Sequence, residues 1–197
     1  MDILLATNNN GKAKEMKEIL SDIGINVFSL RDKNIVADVV EDGTTFEENS
    51  MKKAKEIQKL SGMITVADDS GLEVDYLSGA PGVYSARYAG ENATDREKYT
   101  KLLSELNGVP ENKRKAKFVS VISIAFPDGQ SKSVRGECLG TITKEPIGTK
   151  GFGYDPVFFC TEINKTFGLA SDEEKNSVSH RGKALHELKE YLKQMLQ

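Results

Sequence analysis

The chain has 197 residues, 38% hydrophobic and 29% charged, with a formal net charge of −3, the proportions of an ordinary globular protein able to bury a sizeable core. No global basic field is present to recruit nucleic acid, and no apolar run approaches the ~18 residues that span a bilayer. The opening MDILLATN lacks the basic and apolar regions of a secretory signal, and the two cysteines, Cys138 and Cys160, lack metal-ligand spacing. They read as reduced thiols of a cytoplasmic protein.

The apolar run from Ile3 to Ala6 predicts a buried strand, and the spacing of Met16, Ile19 and Leu20 predicts a helix over 11–21. INVFSL (25–30) is a second strand. Asp42-Gly43 turns the chain, and Thr44 and Thr45, each followed three residues later by Glu47 or Glu48, start a helix with a capping box. Ile64 to Ala67 is a short strand ending in the turn Asp68-Asp69-Ser70-Gly71, with Leu72 to Val74 as its continuation. LSGAPGVYSARYAG is a Gly/Pro-rich loop, and Thr94 with Glu97 caps a helix reaching Leu106. AKFVSVISIAF and the stretch from Lys132 to Gly140 form a hairpin around Pro127-Asp128-Gly129. GTKGFGYDPVFF is a loop feeding a strand, and Ser171 to Glu174 caps a short helical turn. Ala184, Leu185, Leu188, Tyr191, Leu192 and Met195 mark an amphipathic terminal helix. No repeat, low-complexity tract or long linker interrupts residues 1–197. Strands separated by helices, followed by a long hairpin, indicate an α/β fold with a long mixed sheet flanked by helices.

Four stretches carry chemistry. ATNNNGKA (6–13) joins a strand to a helix through a polar loop, so the first-turn N–H groups and the helix dipole can meet an anion, with Lys12 adding an ammonium. A P-loop would place Ser or Thr at position 13 and Gly at position 6; Ala13 and Ala6 stand there instead. The alternatives are another anion-binding loop or a strand–helix turn whose asparagines satisfy local backbone. ADDSG (67–71) sets two carboxylates at the end of a strand, where α/β sheets place ligand sites. Neighbours on extended chain face opposite ways, so Asp68 and Asp69 should differ in role. One would turn toward a cleft while the other ties down the turn. Such a carboxylate, with Glu41 as a second ligand, suits Mg²⁺, which takes one or two carboxylates and fills its shell with water and phosphate; the alternative is a solvated Asx turn. In GTKGFGYDP (148–156) the glycines let backbone approach a ligand, and Phe152 or Tyr154 offers a ring to a base, although a Gly-rich loop beside a bulge reads equally well. Lys175, His180 and Arg181 cluster where the last helix begins, a position at which cations oppose the helix dipole, which points to a functional reason; the alternative is a solvated basic turn.

Taken together, T-N-N-N-G-K (7–12), E-D-G-x-T-F-x-E-N-S-x-x-K-A (41–54), A-D-D-S-G-L (67–72), G-A-P-G-V-Y-S-A-R-Y (79–88), G-F-G-Y-D-P (151–156) and E-K-x-x-x-S-H-R (174–181) resemble the inosine triphosphatase family over nearly the whole chain. The family often has glycine where Asn8 stands, a residue that tolerates left-handed backbone. The resemblance implies one two-lobed domain over 1–197 with a cleft between the lobes, usually assembled as a homodimer. It implies Mg²⁺-dependent hydrolysis of deaminated purine nucleoside triphosphates (ITP, dITP, XTP) to the monophosphate and pyrophosphate. Substrate would be held by the loop Thr7, Asn8, Asn9, Asn10, Gly11 and Lys12, by Lys53 and Ser70, and by Phe152, Gly153, Tyr154, Asp155, Lys175, His180 and Arg181. Glu41 and Asp69 would hold Mg²⁺, with Asp69 also the proton acceptor. The rival readings are a Maf-type pyrophosphatase, whose Ser/Arg-rich loop signature is absent here, and a nucleotide-binding regulator without catalysis.

Overall fold

The computed structural model describes residues 1–196. Its seven strands form one mixed sheet in the order β2-β1-β3-β4-β5-β6-β7. They are β1 (Asp2–Leu5), β2 (Asn26–Ser29), β3 (Ile64–Val74), β4 (Lys115–Ala125), β5 (Ser131–Ile142), β6 (Phe158–Cys160) and β7 (Lys165–Thr166). The helices are α1 (Asn10–Leu20), α2 (Phe46–Ser61), α3 (Asp95–Glu105), α4 (Asp172–Val178) and α5 (His180–Met195). β1 pairs in parallel with β2 and β3, whereas β6 runs antiparallel to both β5 and β7. The α/β reading with a mixed sheet is therefore correct. β7 had no sequence signal because two residues are too few to show alternation.

One correction concerns ADDSG. The polar run neither turns nor ends the strand; β3 passes through it unbroken from Ile64 to Val74. Alternation explains how a strand carries two buried acids. On β3, Val66 joins the cluster formed with Ile3, Leu5, Met16, Ile19, Leu185 and Leu188, and Ala67 joins Leu4, Ala6, Ala54 and Ile57. One face of the sheet is thus covered by α1 and α5 and the other by α2, so β1 is apolar at every buried position.

The chain divides into two compact units, the first made of residues 1–69, 120–136 and 181–197 and the second of 70–119 and 137–180. Clusters on both sheet faces hold the first unit, and Ser50 on α2 meets Ser123 on β4 at 2.7 Å. The second has its own core, in which Leu102 and Leu106 pack with Leu72, Val74, Phe118, Phe158 and Phe167. The ring centroids of Phe118 and Phe158 lie 4.5 Å apart. Three of the helices, α2, α3 and α4, start with complete capping boxes, at Thr45–Glu48, Thr94–Glu97 and Ser171–Glu174. Cys138 and Cys160 are buried and form no disulfide, with their sulfurs 3.5 Å apart.

Candidate active site

In the first unit, the loop between β1 and α1 is shaped by its own side chains. Asn9 is the N-cap of α1, its Oδ1 accepting from Lys12 N at 3.0 Å, and Thr7 Oγ1 accepts from Asn9 N at 3.1 Å. Those bonds turn the loop, and the first-turn N–H groups of Asn10 and Gly11 have no carbonyl within the helix to meet. Asn8 is exposed, and it is not among the non-glycine residues with positive φ, which are Asn34, Ser78 and Asn164. Asparagine at position 8 needs no left-handed backbone.

The pleat of β3 separates the two acids. Asp68 shares the face of Val66 and is fully buried. Its carboxylate receives Ser120 Oγ at 2.5 Å, Lys12 Nζ at 2.7 Å and the Arg181 guanidinium at 3.2 Å. Arg181, also buried, spans from there to Glu15 at 2.5 Å. Burial alone would raise the Asp68 carboxyl, but Arg181 and Lys12 outweigh it and hold the group below the usual carboxylate range. The sequence reading placed Arg181 among substrate-binding residues; in this structure its guanidinium lies on Glu15 and Asp68. Those two acids offset the cost of a cation in the first turn of α5.

Asp69 shares the face of Ala67, the one covered by α2, and is nearly buried. Its carboxyl is pushed up to about 6: burial is the main cause, the charges of Glu41 and Asp68 add to it, and Lys12 and Lys53 oppose it. Lys53, on α2, is paired with Glu41. Two lysines and three carboxylates therefore act on one another here. Among the described residues no group of three or more His, Cys, Asp or Glu side chains gathers as a metal cage. Mg²⁺ does not require one, since one or two carboxylates with water and phosphate complete its shell. The all-oxygen donor pair Glu41 and Asp69, whose mutual repulsion a cation would relieve, fits such an ion.

In the second unit, Asp155 and Lys175 form a buried ion pair at 2.6 Å, and Asp155 Oδ2 also accepts from Phe152 N at 2.8 Å. Gly151 has φ +74°, and a Cβ there would strike the Asp155 carboxylate. Lys175 Nζ stands 4.4 Å from the centroid of the half-buried Phe152 ring. His180 stacks on Phe118, with centroids 4.7 Å apart and the rings 12° from parallel. Tyr154 is buried, and its hydroxyl donates to Ser85 O at 2.8 Å, which leaves Phe152 as the more open of the two rings. Gly153 N donates to Asp95 Oδ2 at 2.7 Å. Ser70, on β3, is half-buried. Gly151→Ala is expected to destabilise the protein by about 1–3 kcal/mol through left-handed strain and displacement of Asp155 from Lys175, measured by urea unfolding.

Sequence reasoning missed Glu15, Ser120, Asn49 and Phe118. Glu15 did leave a signal: it lies beside Met16 on the buried stripe of α1, and an acid in that position requires a buried cation. Ser120 carries no such sign, because a serine inside an apolar strand reads as filler.

An α/β protein whose sheet carries buried acids against lysines, beside a helix N-terminus suited to phosphate, is built to handle a polyanion. The model of the Ham1 family matches residues 3–191, and the chain belongs to that family. It is 51% identical over 199 residues to a dITP/XTP pyrophosphatase of Clostridium perfringens, an alignment covering 98% of each chain. A Ham1 protein structure from Coxiella burnetii superposes with a TM-score of 0.89 at 39% identity, covering 98% of this chain and 99% of that one. The Ham1 protein of Staphylococcus aureus gives 0.88 at 40% identity, covering 99% and 100%. The resemblance read from the motifs is the family found.

Proposed function

We propose that this chain is a nucleoside triphosphate pyrophosphohydrolase acting on deaminated purine nucleotides (ITP, dITP, XTP), with Mg²⁺ as cofactor and the monophosphate and pyrophosphate as products. The observation that carries the reading is Asp69: a nearly buried carboxyl raised to about 6, set among Glu41, Lys12 and Lys53. A carboxyl near that value is a stronger base than an ordinary carboxylate; a metal ion on it would lower that basicity, so Asp69 serves as much to orient the water as to take its proton.

The α1 first turn, Thr7, Asn9 and Lys12 take the triphosphate, and Lys53 adds a second ammonium. Glu41 and Asp69 hold the metal ion, which when bound neutralises phosphate charge and lowers the pKa of nearby water. Asp69 orients the attacking water and receives its proton at a carboxylate oxygen. The bond from water oxygen to the α-phosphorus forms as the bond to the bridging oxygen breaks, and pyrophosphate leaves with the electron pair. Lys12 and Lys53 offset the charge gathering on that leaving group, so catalysis is mainly positioning and electrostatics.

Phe152 stacks on the base, and its position is set by the Asp155–Lys175 pair bonded to its backbone. Hypoxanthine and xanthine present a 6-oxo acceptor where adenine presents an amino donor. Donors from His180 and the loop backbone match the first pattern only, and a site built for one hydrogen-bond pattern rejects the wrong one by roughly 10⁴-fold. The test is a panel of ITP, dITP, XTP, GTP and ATP with Mg²⁺, following pyrophosphate. Guanine shares the 6-oxo acceptor and is excluded instead through its 2-amino group, by Asp155 or the local backbone, so rapid pyrophosphate release from the first three and little from the last two is expected. Equal turnover of ATP and ITP, or release of single phosphate, would sink the reading.

A further inference from the structure

Asn49 takes no part in the chemistry above, yet it is almost completely buried (1% exposed) in the first turn of α2. Its Oδ1 accepts from Gly43 N at 2.8 Å. Since Gly43 offers an N–H, the oxygen end of the amide must face it, and Nδ2 points elsewhere. Nδ2 is buried and has no hydrogen-bond partner. An unmet buried donor weakens a fold, so this amide is poorly explained as a stabilising contact. Its position suggests another use. Gly43 lies two residues after Glu41, and Lys53, one helical turn beyond Asn49, is paired with Glu41. The loop 41–43 is thus gripped at three points by α2, with Lys52 Nζ on Asp42 at 2.6 Å between the other two. The grip is close: a Cβ on Gly43 would come within 2.6 Å of Asn49 Oδ1 and 2.8 Å of Glu48 Cβ.

We infer that Asn49 is a positioning residue, holding the Gly43 backbone so that the Glu41 carboxylate is set for a divalent cation. The inference rests on the proposed role of Glu41 as a metal ligand. Groups that hold a ligand from behind typically change metal affinity by about 10–100-fold when removed.

The experiment titrates Mn²⁺ into the full-length protein, following free ion by electron paramagnetic resonance, for wild type, E41Q, N49L, N49D and G43A, with melting temperatures alongside. Leucine fills nearly the same volume but offers neither acceptor nor donor, so N49L should weaken Mn²⁺ binding about 10–100-fold while keeping the wild-type melting temperature. N49D retains the acceptor and should bind at least within about threefold of wild type. G43A, whose φ is not left-handed, tests the same bond from its other side. It should reproduce the loss, without adding to it in the double variant, and it decides the matter if N49L fails to fold. Wild-type Mn²⁺ affinity in N49L and G43A, with weakened binding in E41Q, overturns the inference and leaves Glu41 as ligand. Unchanged binding in E41Q overturns the role of Glu41 and the inference with it.

Discussion

Asp69→Asn is expected to lower turnover by about 10²–10⁴-fold and, in chelator at pH 8, to make the protein more stable than wild type. Both effects follow from one number. The Asp69 carboxyl has an ordinary value of 3.8 and is pushed up to about 6 in the fold. Between those values the folded chain holds a proton that the unfolded chain has lost, so stability falls as pH rises through that window. A shift of roughly two pKa units corresponds to about 3 kcal/mol, present in full below pH 3.8 and lost above pH 6. Asparagine has the same shape and no charge, so the variant keeps the low-pH stability at every pH. Urea unfolding should show the two proteins equal near pH 3 and separated by about 3 kcal/mol at pH 8. A cation bound at Glu41 and Asp69 neutralises the same repulsion, so adding Mg²⁺ should stabilise wild type and close the gap, with little effect on the variant. An Asp69→Asn protein that turns over ITP normally removes Asp69 from the chemistry.

The apolar periods of Met16, Ile19 and Leu20, and of Leu185, Leu188 and Leu192, made the helices readable, because each stripe packs on one face of the sheet. Capping boxes at Thr45, Thr94 and Ser171 were legible for a similar reason, since both partners lie within three residues. The course of β3 was not legible. Asp68, Asp69, Ser70 and Gly71 have the composition of a turn, and only distant partners keep them extended: Lys12, Ser120 and Arg181 around Asp68, and Glu41 and Lys53 acting on Asp69. The expectation that neighbouring acids face opposite ways survived, because it depends on the pleat alone. What each acid would meet lay 50 or more residues away along the chain for Ser120 and Arg181, beyond any local pattern. Arg181 shows this most clearly. Nothing local to the start of the last helix announces Glu15 and Asp68, which lie on either side of the guanidinium.

Arg181→Met should be the most destabilising single change in the first unit apart from loss of core side chains, by about 3–5 kcal/mol. The guanidinium is 2% exposed and answers two buried acids at once, Glu15 at 2.5 Å and Asp68 at 3.2 Å. Removing it takes a cation from Asp68, which is at 0% exposure, while Lys12 stays at 2.7 Å. Arg181→Lys should recover only part of the loss, because an ammonium cannot fork between two carboxylates. Adding Glu15→Gln to Arg181→Met should recover part of the stability, since one of the two acids left without Arg181 is then neutral while Asp68 remains; the pair will not behave additively. The pH dependence runs opposite to that of Asp69. Although burial works against it, the neighbouring cations hold the Asp68 carboxyl below its ordinary value, so its stabilisation is present above pH 3.8 and is lost as pH falls through its folded value. Wild type therefore loses on acidification what the variant no longer has. Unfolding measured at pH 7 and at pH 2 should show a wide gap between the two proteins at the first and a narrower one at the second. A gap that stays constant with pH would mean that Arg181 contributes by filling space rather than by answering Asp68.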